Sequence, residues 1–405
     1  MNYFCSIPKA LQHIQQGKIL IVVDHEGREN EGDFFLPAEM ITPEKVNFMI
    51  THGKGLLCVA ITKSQAERLH LPYMVTPQDN TEKTGVNFAI SVNATHDITS
   101  GISAYDRAIT IQRLASDTTK PSDFTRPGHV FPLIAKDGGV FTRDGHTEAA
   151  VDLARLAGFS PAGVLCEIIH SDGKMAKLPE LQKLCKTFDL KMISITDLTE
   201  YRKKVSDVVK VSSSSLPTDF GLFTISIYKS LTDNMEHAVL RAGNTFKEPV
   251  LTRIHSQCLT GDTFFSLRCD CHEQLHKSMK MMQVAGKGMI LYLNQEGRGI
   301  GIANKINAYA LQEKGHDTVE ANNALGLPID ARSYKIAADI LKDFGITKIQ
   351  LLTNNPDKEQ QLSTYGIEIV KRIPLEITPN TYNKKYLITK KERLGHHLSH
   401  VKLHE

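Results

Sequence analysis

Short apolar runs alternating with helix-length amphipathic stretches are what most constrain this chain. In the second half, helical patterning over 273–284 leads to an apolar run at 289–293. Helical patterning over 302–314 and 333–344 follows, then a second run at 348–352, with glycine near most helix ends. Runs of this length are far too short to span a bilayer, and each predicts a buried strand. The first half mixes the same elements. A helix is predicted over 8–16, stopped by Gly17, then a buried-type strand over 18–23, with further strands at 56–61, 88–92 and 191–195. The expected fold class is α/β and α+β: two domains, each a mixed sheet covered by helices.

The 405 residues are too many for one ordinary domain. The one break in composition is a serine run closed by proline, Ser212 to Pro217. It predicts a linker or connecting strand at 206–217, between domains at 1–205 and 218–405. Net charge is +3, and a split at residue 210 leaves 24 basic and 25 acidic residues before it, 24 and 20 after it. Neither half has the basic excess that nucleic acid requires, so no nucleic acid and no membrane partner is expected. Seven cysteines, an odd number, without a secretory layout at the N-terminus predict reduced thiols and a cytoplasmic location.

Three of those cysteines, Cys258, Cys269 and Cys271, have the spacing C-x10-C-x-C. In an extended segment Cys269 and Cys271 share a face, and a turn at 260–262 returns Cys258 to them. Three thiolates suit zinc and leave the fourth tetrahedral position to water, as in catalytic sites. Buried structural thiols are the plainer alternative. Three thiolates give Zn²⁺ a net charge of −1, so its water needs help from nearby cations or a base. Downstream, Glu296-Gly-Arg-Gly-Ile-Gly301 follows a strand and opens a helix, where backbone N–H groups favour a phosphate; a tight turn is the alternative.

The runs HSQCLTGDTFFSLRCDCHEQL, NQEGRGIG, NKINAYALQEKGHDTVEANNALGLPIDARSY and LLTNNPDK resemble GTP cyclohydrolase II over nearly all of 216–395. The resemblance implies opening of the guanine imidazole ring with loss of formate and pyrophosphate. It implies zinc on Cys258, Cys269 and Cys271, with Mg²⁺ on the GTP phosphates. It places GTP on Arg253, Ile254, His255, Ser256, Gln257, Gln274, Glu296, Gly297, Arg298, Thr318, Thr353 and Lys358. Tyr309 matches a catalytic tyrosine, Asp330 a proton acceptor and Arg332 a nucleophile at the α-phosphorus. A guanidinium with a pKa above ~12 is a poor nucleophile, and stabilising charge on the leaving pyrophosphate is the alternative role. The family usually has Glu where Gln257 stands.

In the first half Asp24-His-Glu-Gly-Arg28-Glu29-Asn-Glu31-Gly-Asp33 follows the strand at 18–23. If extended, it places Glu29, Glu31 and Asp33 on one face, which is costly without a hard cation such as Mg²⁺ or Mn²⁺. Solvated surface charge is the alternative. Two glycine turns further on carry His129 and His146, candidates for acid–base and metal roles.

RENEGD, HGKGLLCVAIT, TSGISAYDRA, KPSDFTRPGHVFPL, TRDGHTEAAVDL and GVLCEI resemble 3,4-dihydroxy-2-butanone 4-phosphate synthase over roughly 6–205. That resemblance implies conversion of ribulose 5-phosphate to the butanone phosphate and formate with Mg²⁺ (or Mn²⁺). It puts the metal on Glu29 and His146 and the sugar phosphate among Arg28, Glu29, Asp33, Arg143, Asp144, Gly145, His146, Thr147 and Glu167. His129 and Glu167 match positions essential for activity. Gly27 and Val86 depart from the family pattern. Together the two resemblances imply a bifunctional enzyme supplying both riboflavin precursors, each half dimerising in a homodimer with its sites near subunit interfaces. The alternative is that only one half is catalytic and the other is a dimerisation scaffold. The histidines of the terminal segment, His396, His397, His400 and His404, are expected to be solvated.

Overall fold

The computed structural model describes residues 3–25, 27–76, 78–243 and 247–399, so His400 and His404 lie outside the described residues. Two compact units divide the chain, Met1–Val205 and Ser206–Glu405. In the first, one mixed sheet is built from β1 (Leu20–Val23), β2 (Gly32–Pro37), β3 (Cys58–Ile61), β4 (Val92–Ala94), β5 (Phe124–Ile134), β6 (Gly163–Glu167) and β7 (Lys191–Ser194). Their order is β4-β5-β3-β6-β2-β1-β7, with β1/β7 and β3/β5 parallel.

Successive side chains on a strand face opposite ways, and here both faces are dry. Ile21 and Phe34 enter one core, while Leu20, Val22 and Phe35 enter the other. The helix Pro43–His52 covers the first face with Val46 and Met49. The helix Ile7–Gln15 covers the second with Ile7, Ala10, Leu11 and Ile14, a stripe at i, i+3, i+4 and i+7. Burying each phenylalanine contributes about 2–3 kcal/mol. That is why these strands are continuously apolar rather than alternating.

The second sheet contains β8 (Val208–Thr218), β9 (Gly221–Ser230), β10 (Glu236–Ala242), β11 (Val250–Ser256), β12 (Gly288–Leu293), β13 (Lys348–Leu352) and β14 (Glu368–Ile373). Their order is β14-β13-β11-β12-β10-β9-β8. The four strands from β14 to β12 are parallel and the remainder antiparallel. Parallel neighbours need crossovers, supplied by helices such as Cys271–Ala285 and Pro356–Thr364. The carboxyl ends of β11, β12 and β13 therefore open on one edge, where parallel sheets bind ligands.

The helices predicted over 273–284, 302–314 and 333–344 are Cys271–Ala285, Ile302–Glu313 and Lys335–Asp343. Two expectations need correction. The strand predicted over 88–92 lies further on, at β4; Phe88 and Ala89 make only isolated bridges. The segment 206–217, expected as a linker or connecting strand, is no linker: from Val208 on it belongs to β8, ten of whose eleven residues are in register with β9. Backbone pairing does not depend on apolar side chains at a sheet edge. Small hydroxyls suit that edge, where Ser213 Oγ donates to the Ile225 carbonyl at 3.0 Å.

Candidate active sites

In the first unit the chain leaves β1 at Asp24, turns at 27–29 and returns as β2. The shared extended face expected for Glu29, Glu31 and Asp33 therefore does not form. Instead the Asp24 carboxylate organises the turn: it accepts from the Glu31 N–H at 2.8 Å, the Glu29 N–H at 3.0 Å and Arg28 at 3.0 Å. Burial opposes its charge, but those N–H groups, His146 and Arg28 outweigh it and hold the carboxyl below its ordinary range.

Asp24, Glu29 and His146 each present a ligand atom within 4.8 Å of the others. Glu29 and His146 were expected there; Asp24 was missed, although its place directly after a buried strand was a usable signal. His146 opens the helix His146–Leu156, and its Nε2 lies 3.2 Å from the Val22 carbonyl. With Nε2–H donating, Nδ1 is left for a metal, and burial holds the ring neutral as a ligand must be. Two carboxylates and one imidazole suit a hard divalent cation.

Asp33 stands opposite Glu167 in the β2/β6 register. Burial first, then Glu167, Glu29, Glu31 and Asp24, push Asp33 well above the usual carboxylate range. Glu167 accepts the Leu56 N–H at 2.7 Å. This is a carboxyl pair of the kind that moves protons. Gly145 caps the helix that His146 and the buried Thr147 begin. Arg143 is engaged by Glu148 at 2.6 Å and by the Thr84 carbonyl at 2.8 Å, so it holds the 84–86 loop. Asp144 is exposed, 3.9 Å from Arg28. His129 is exposed on β5, paired through Nδ1 with Asn93 at 3.1 Å, and is not a member of the metal group. The departures Gly27 and Val86 sit in loops held by His25 and by Glu82.

In the second unit Cys258 follows β11, and a single π-helical turn, Leu259–Thr263, brings it to Cys269 and Cys271. The three thiols lie within 4.8 Å of one another, with Cys258 and Cys269 Sγ at 3.7 Å. A Cβ on Gly261 would stand 2.7 Å from Cys269 Sγ and 3.1 Å from Cys258 Sγ. Only glycine lets the turn come this close to the sulfurs. Hydrogen bonds from the other two thiols and the charge of Lys305 favour the Cys258 thiolate, which in turn pushes the Cys269 thiol up. Lys305 Nζ is 3.1 Å from Cys258 Sγ and 2.8 Å from Glu296. It offsets thiolate charge at Cys258, and sequence spacing did not point to it. Asp262 anchors the turn from below, accepting from the Cys258 N–H at 3.0 Å, Tyr292 at 2.9 Å and His255 at 3.0 Å.

The thiols open into a cavity lined also by Arg253, His255, Ser256, Gln257, Gln274, Glu296, Gly297, Arg298, Tyr309, Thr318, Arg332, Thr353 and Lys358. Two expected residues differ. Ile254 buries its side chain in the core and offers only its carbonyl, to Lys358 at 2.7 Å. Asp330 is not in the lining; it clamps Arg332, with Nε at 2.8 Å. Burial opposes the Asp330 charge, yet Arg332 holds it low, and Asp330 and its surroundings keep Arg332 protonated. Burial pushes Tyr309 up to about 12.

Arg253, Arg332 and Lys358 crowd one end. Burial, and then Arg253 and Arg332, push Lys358 well below its ordinary value. Arg253 Nε and Arg298 NH1 are buried without hydrogen-bond partners. Such a group of cations is costly alone and relieved by a polyanion. Segment 393–399, expected to be solvated, instead sends His396 and Leu398 into the same cavity.

Residues 8–201 match the family model of 3,4-dihydroxy-2-butanone 4-phosphate synthase, and 209–374 that of GTP cyclohydrolase II. The chain is 52% identical to the riboflavin biosynthesis protein RibBA of Aquifex aeolicus, over 97% of this chain and 98% of that one. It is 53% identical to RibBA of Bacillus cereus strain G9842, over 98% and 100% respectively. Among solved structures it resembles RibBX, a two-domain 3,4-dihydroxy-2-butanone 4-phosphate synthase from A. baumannii. There the TM-score is 0.51 and the identity 32%, covering 86% of this chain and 94% of that one.

Proposed function

Since the chain belongs to the bifunctional riboflavin biosynthesis proteins that join 3,4-dihydroxy-2-butanone 4-phosphate synthase to GTP cyclohydrolase II, we propose how its own residues perform the two reactions. In the first unit, ribulose 5-phosphate binds beside Asp24, Glu29 and His146. Those three residues would hold Mg²⁺ or Mn²⁺, which when bound would supply stabilisation of negative charge on the substrate. Asp33, buried and readily protonated, and Glu167 exchange protons with the sugar carbons. Backbone N–H groups at Gly145–Thr147, opening an eleven-residue helix, receive the phosphate with Arg28. His129, exposed on its strand, is available to a second copy of the chain, in keeping with a homodimer.

In the second unit Cys258, Cys269 and Cys271 would hold zinc, which when bound would supply activation of water for opening the guanine ring. Lys305 offsets the thiolate charge. Arg253, Arg298 and Lys358 hold the triphosphate, which carries its own Mg²⁺. Arg332 stabilises charge on the departing pyrophosphate; its firm protonation and its pairing with Asp330 support this over a nucleophilic role. Asp330, held ionised against Arg332, keeps that guanidinium charged and in place, and Tyr309 borders the reacting base. Gln257, lining the cavity, serves as a neutral hydrogen-bonding partner where a carboxylate is usual. A cytoplasmic location belongs to this reading and is supported by the free thiols of the cysteines.

The observation that carries this reading is the meeting, in one cavity, of three clustered thiols with a group of cations, among them the buried Arg253 and Lys358, whose hydrogen bonds go to neutral acceptors. Formate release, assayed separately with GTP and with ribulose 5-phosphate, tests it. Formate from both is expected. Formate from one alone favours the alternative in which the other half is a scaffold.

A further inference from the structure

The helix Lys384–Glu392 and the segment after it form one wall of the nucleotide cavity, although nothing in their composition announces a site. Lys390 is fastened to Asp270, between two of the zinc cysteines, at 2.9 Å. The chain then reverses. The His396 N–H donates to the Lys390 carbonyl at 3.0 Å, and the His397 N–H to the Asn354 carbonyl at 2.8 Å. Ser399 closes the loop on Glu376 through its N–H at 2.7 Å and its hydroxyl at 2.8 Å. Leu398 packs against Leu387 of the helix. Five attachments over ten residues make a fixed strap, and Asn354 belongs to the same loop as Thr353, beside the phosphate-end lysine Lys358.

From this geometry we infer that His396, seated by that strap, is a further GTP-binding residue that contacts the triphosphate alongside Arg298, Arg332 and Lys358. The inference rests on the proposed GTP site. Its charge setting agrees: burial, then Lys390, Arg298, Lys358 and Arg332, hold the free imidazole neutral. A neutral imidazole can sit among cations where another charge cannot, and it still offers a ring N–H to phosphate oxygen.

The test uses the full chain carrying zinc, compared with His396→Ala and with a chain ending at Leu394. Binding of GTP and of GMP is measured by titration calorimetry, together with KM and kcat for formate release from GTP. Both variants are expected to bind GTP about tenfold more weakly, with GMP affinity within twofold and KM raised more than kcat is lowered. Equal weakening of GTP and GMP, or unchanged GTP affinity in His396→Ala, overturns the inference. Should the shortened chain lose zinc, His396→Ala alone decides. Failure of the unaltered enzyme to open GTP would refute the proposed site instead.

Discussion

Asp262→Ala probes how the turn that follows Cys258 is held. Three donors converge on this carboxylate, which is itself 4% exposed: the N–H of buried Cys258, the ring of buried His255 and the hydroxyl of half-buried Tyr292. Alanine leaves all three without their acceptor. A stranded buried donor costs about 1–3 kcal/mol, and one water entering the space vacated by the carboxylate serves one or two of them. The net loss is then about 3 kcal/mol. For a unit of this size each kcal/mol moves Tm by about 2–4 °C, so the metal-free second unit is expected to melt about 10 °C lower. Cys258 also loses the bond that aims its backbone, and removing such an outer support typically weakens metal affinity about 10–100-fold. Calorimetric scans of metal-free protein and zinc competition against a chromophoric chelator measure the two effects separately. Synthase activity of the first unit serves as the control. A melting shift under 2 °C together with zinc affinity within twofold of the unaltered protein would refute the idea that Asp262 carries the turn.

Lys305→Met removes the cation at Cys258 and is expected to lower kcat for GTP opening about tenfold or more at full zinc occupancy; an unchanged kcat discards its electrostatic role. In metal-free protein Asp33 holds its proton to a higher pH than the unfolded chain does, whose carboxyl titrates near 3.9. Its contribution to stability therefore falls as pH rises above about 4. Asp33→Asn is expected to match the unaltered protein near pH 4, to exceed its urea midpoint at pH 7 and to lose synthase activity; a lower midpoint at pH 7 contradicts the assignment. Brief dialysis against EDTA followed by excess Mg²⁺ alone is expected to restore both formate releases, because the hard-cation site exchanges and the thiolate site does not. A GTP reaction that then needs added zinc would contradict a firmly held zinc.

What the sequence revealed of these sites follows from how local each interaction is. Cys269 and Cys271 are two residues apart, and Cys258 is joined to them by one turn, so spacing alone suggested a metal. Helices and parallel strands were legible because periodicity is a property of neighbours. Lys305 meets Cys258 across 47 positions and Lys390 meets Asp270 across 120, and no local pattern encodes such meetings. An extended acidic stretch would carry Asp24 away from Glu29, so its place in the metal group depends on the turn. The turn at 27–29 exchanges the neighbours of Glu29, giving it Asp24 and His146 in place of Glu31 and Asp33. Segment 393–399 looks like an ordinary polar terminus, and its attachments are mostly backbone bonds to distant residues, which side-chain identity does not record.

The pairing of the serine run into the second sheet bears on anyone wishing to express the halves apart. Arg202 still belongs to the first unit, through Asp152 at 2.6 Å, and the Asp207 N–H is already bonded to Asp339 at 2.9 Å. The crossing from one unit to the other thus falls within 203–206. A gene divided inside the serines, where composition invites the scissors, would strip the outermost strand from the cyclohydrolase and bare the backbone of β9 to aggregation. Lengthening or trimming that run to alter the distance between the activities would disturb a sheet instead of a tether.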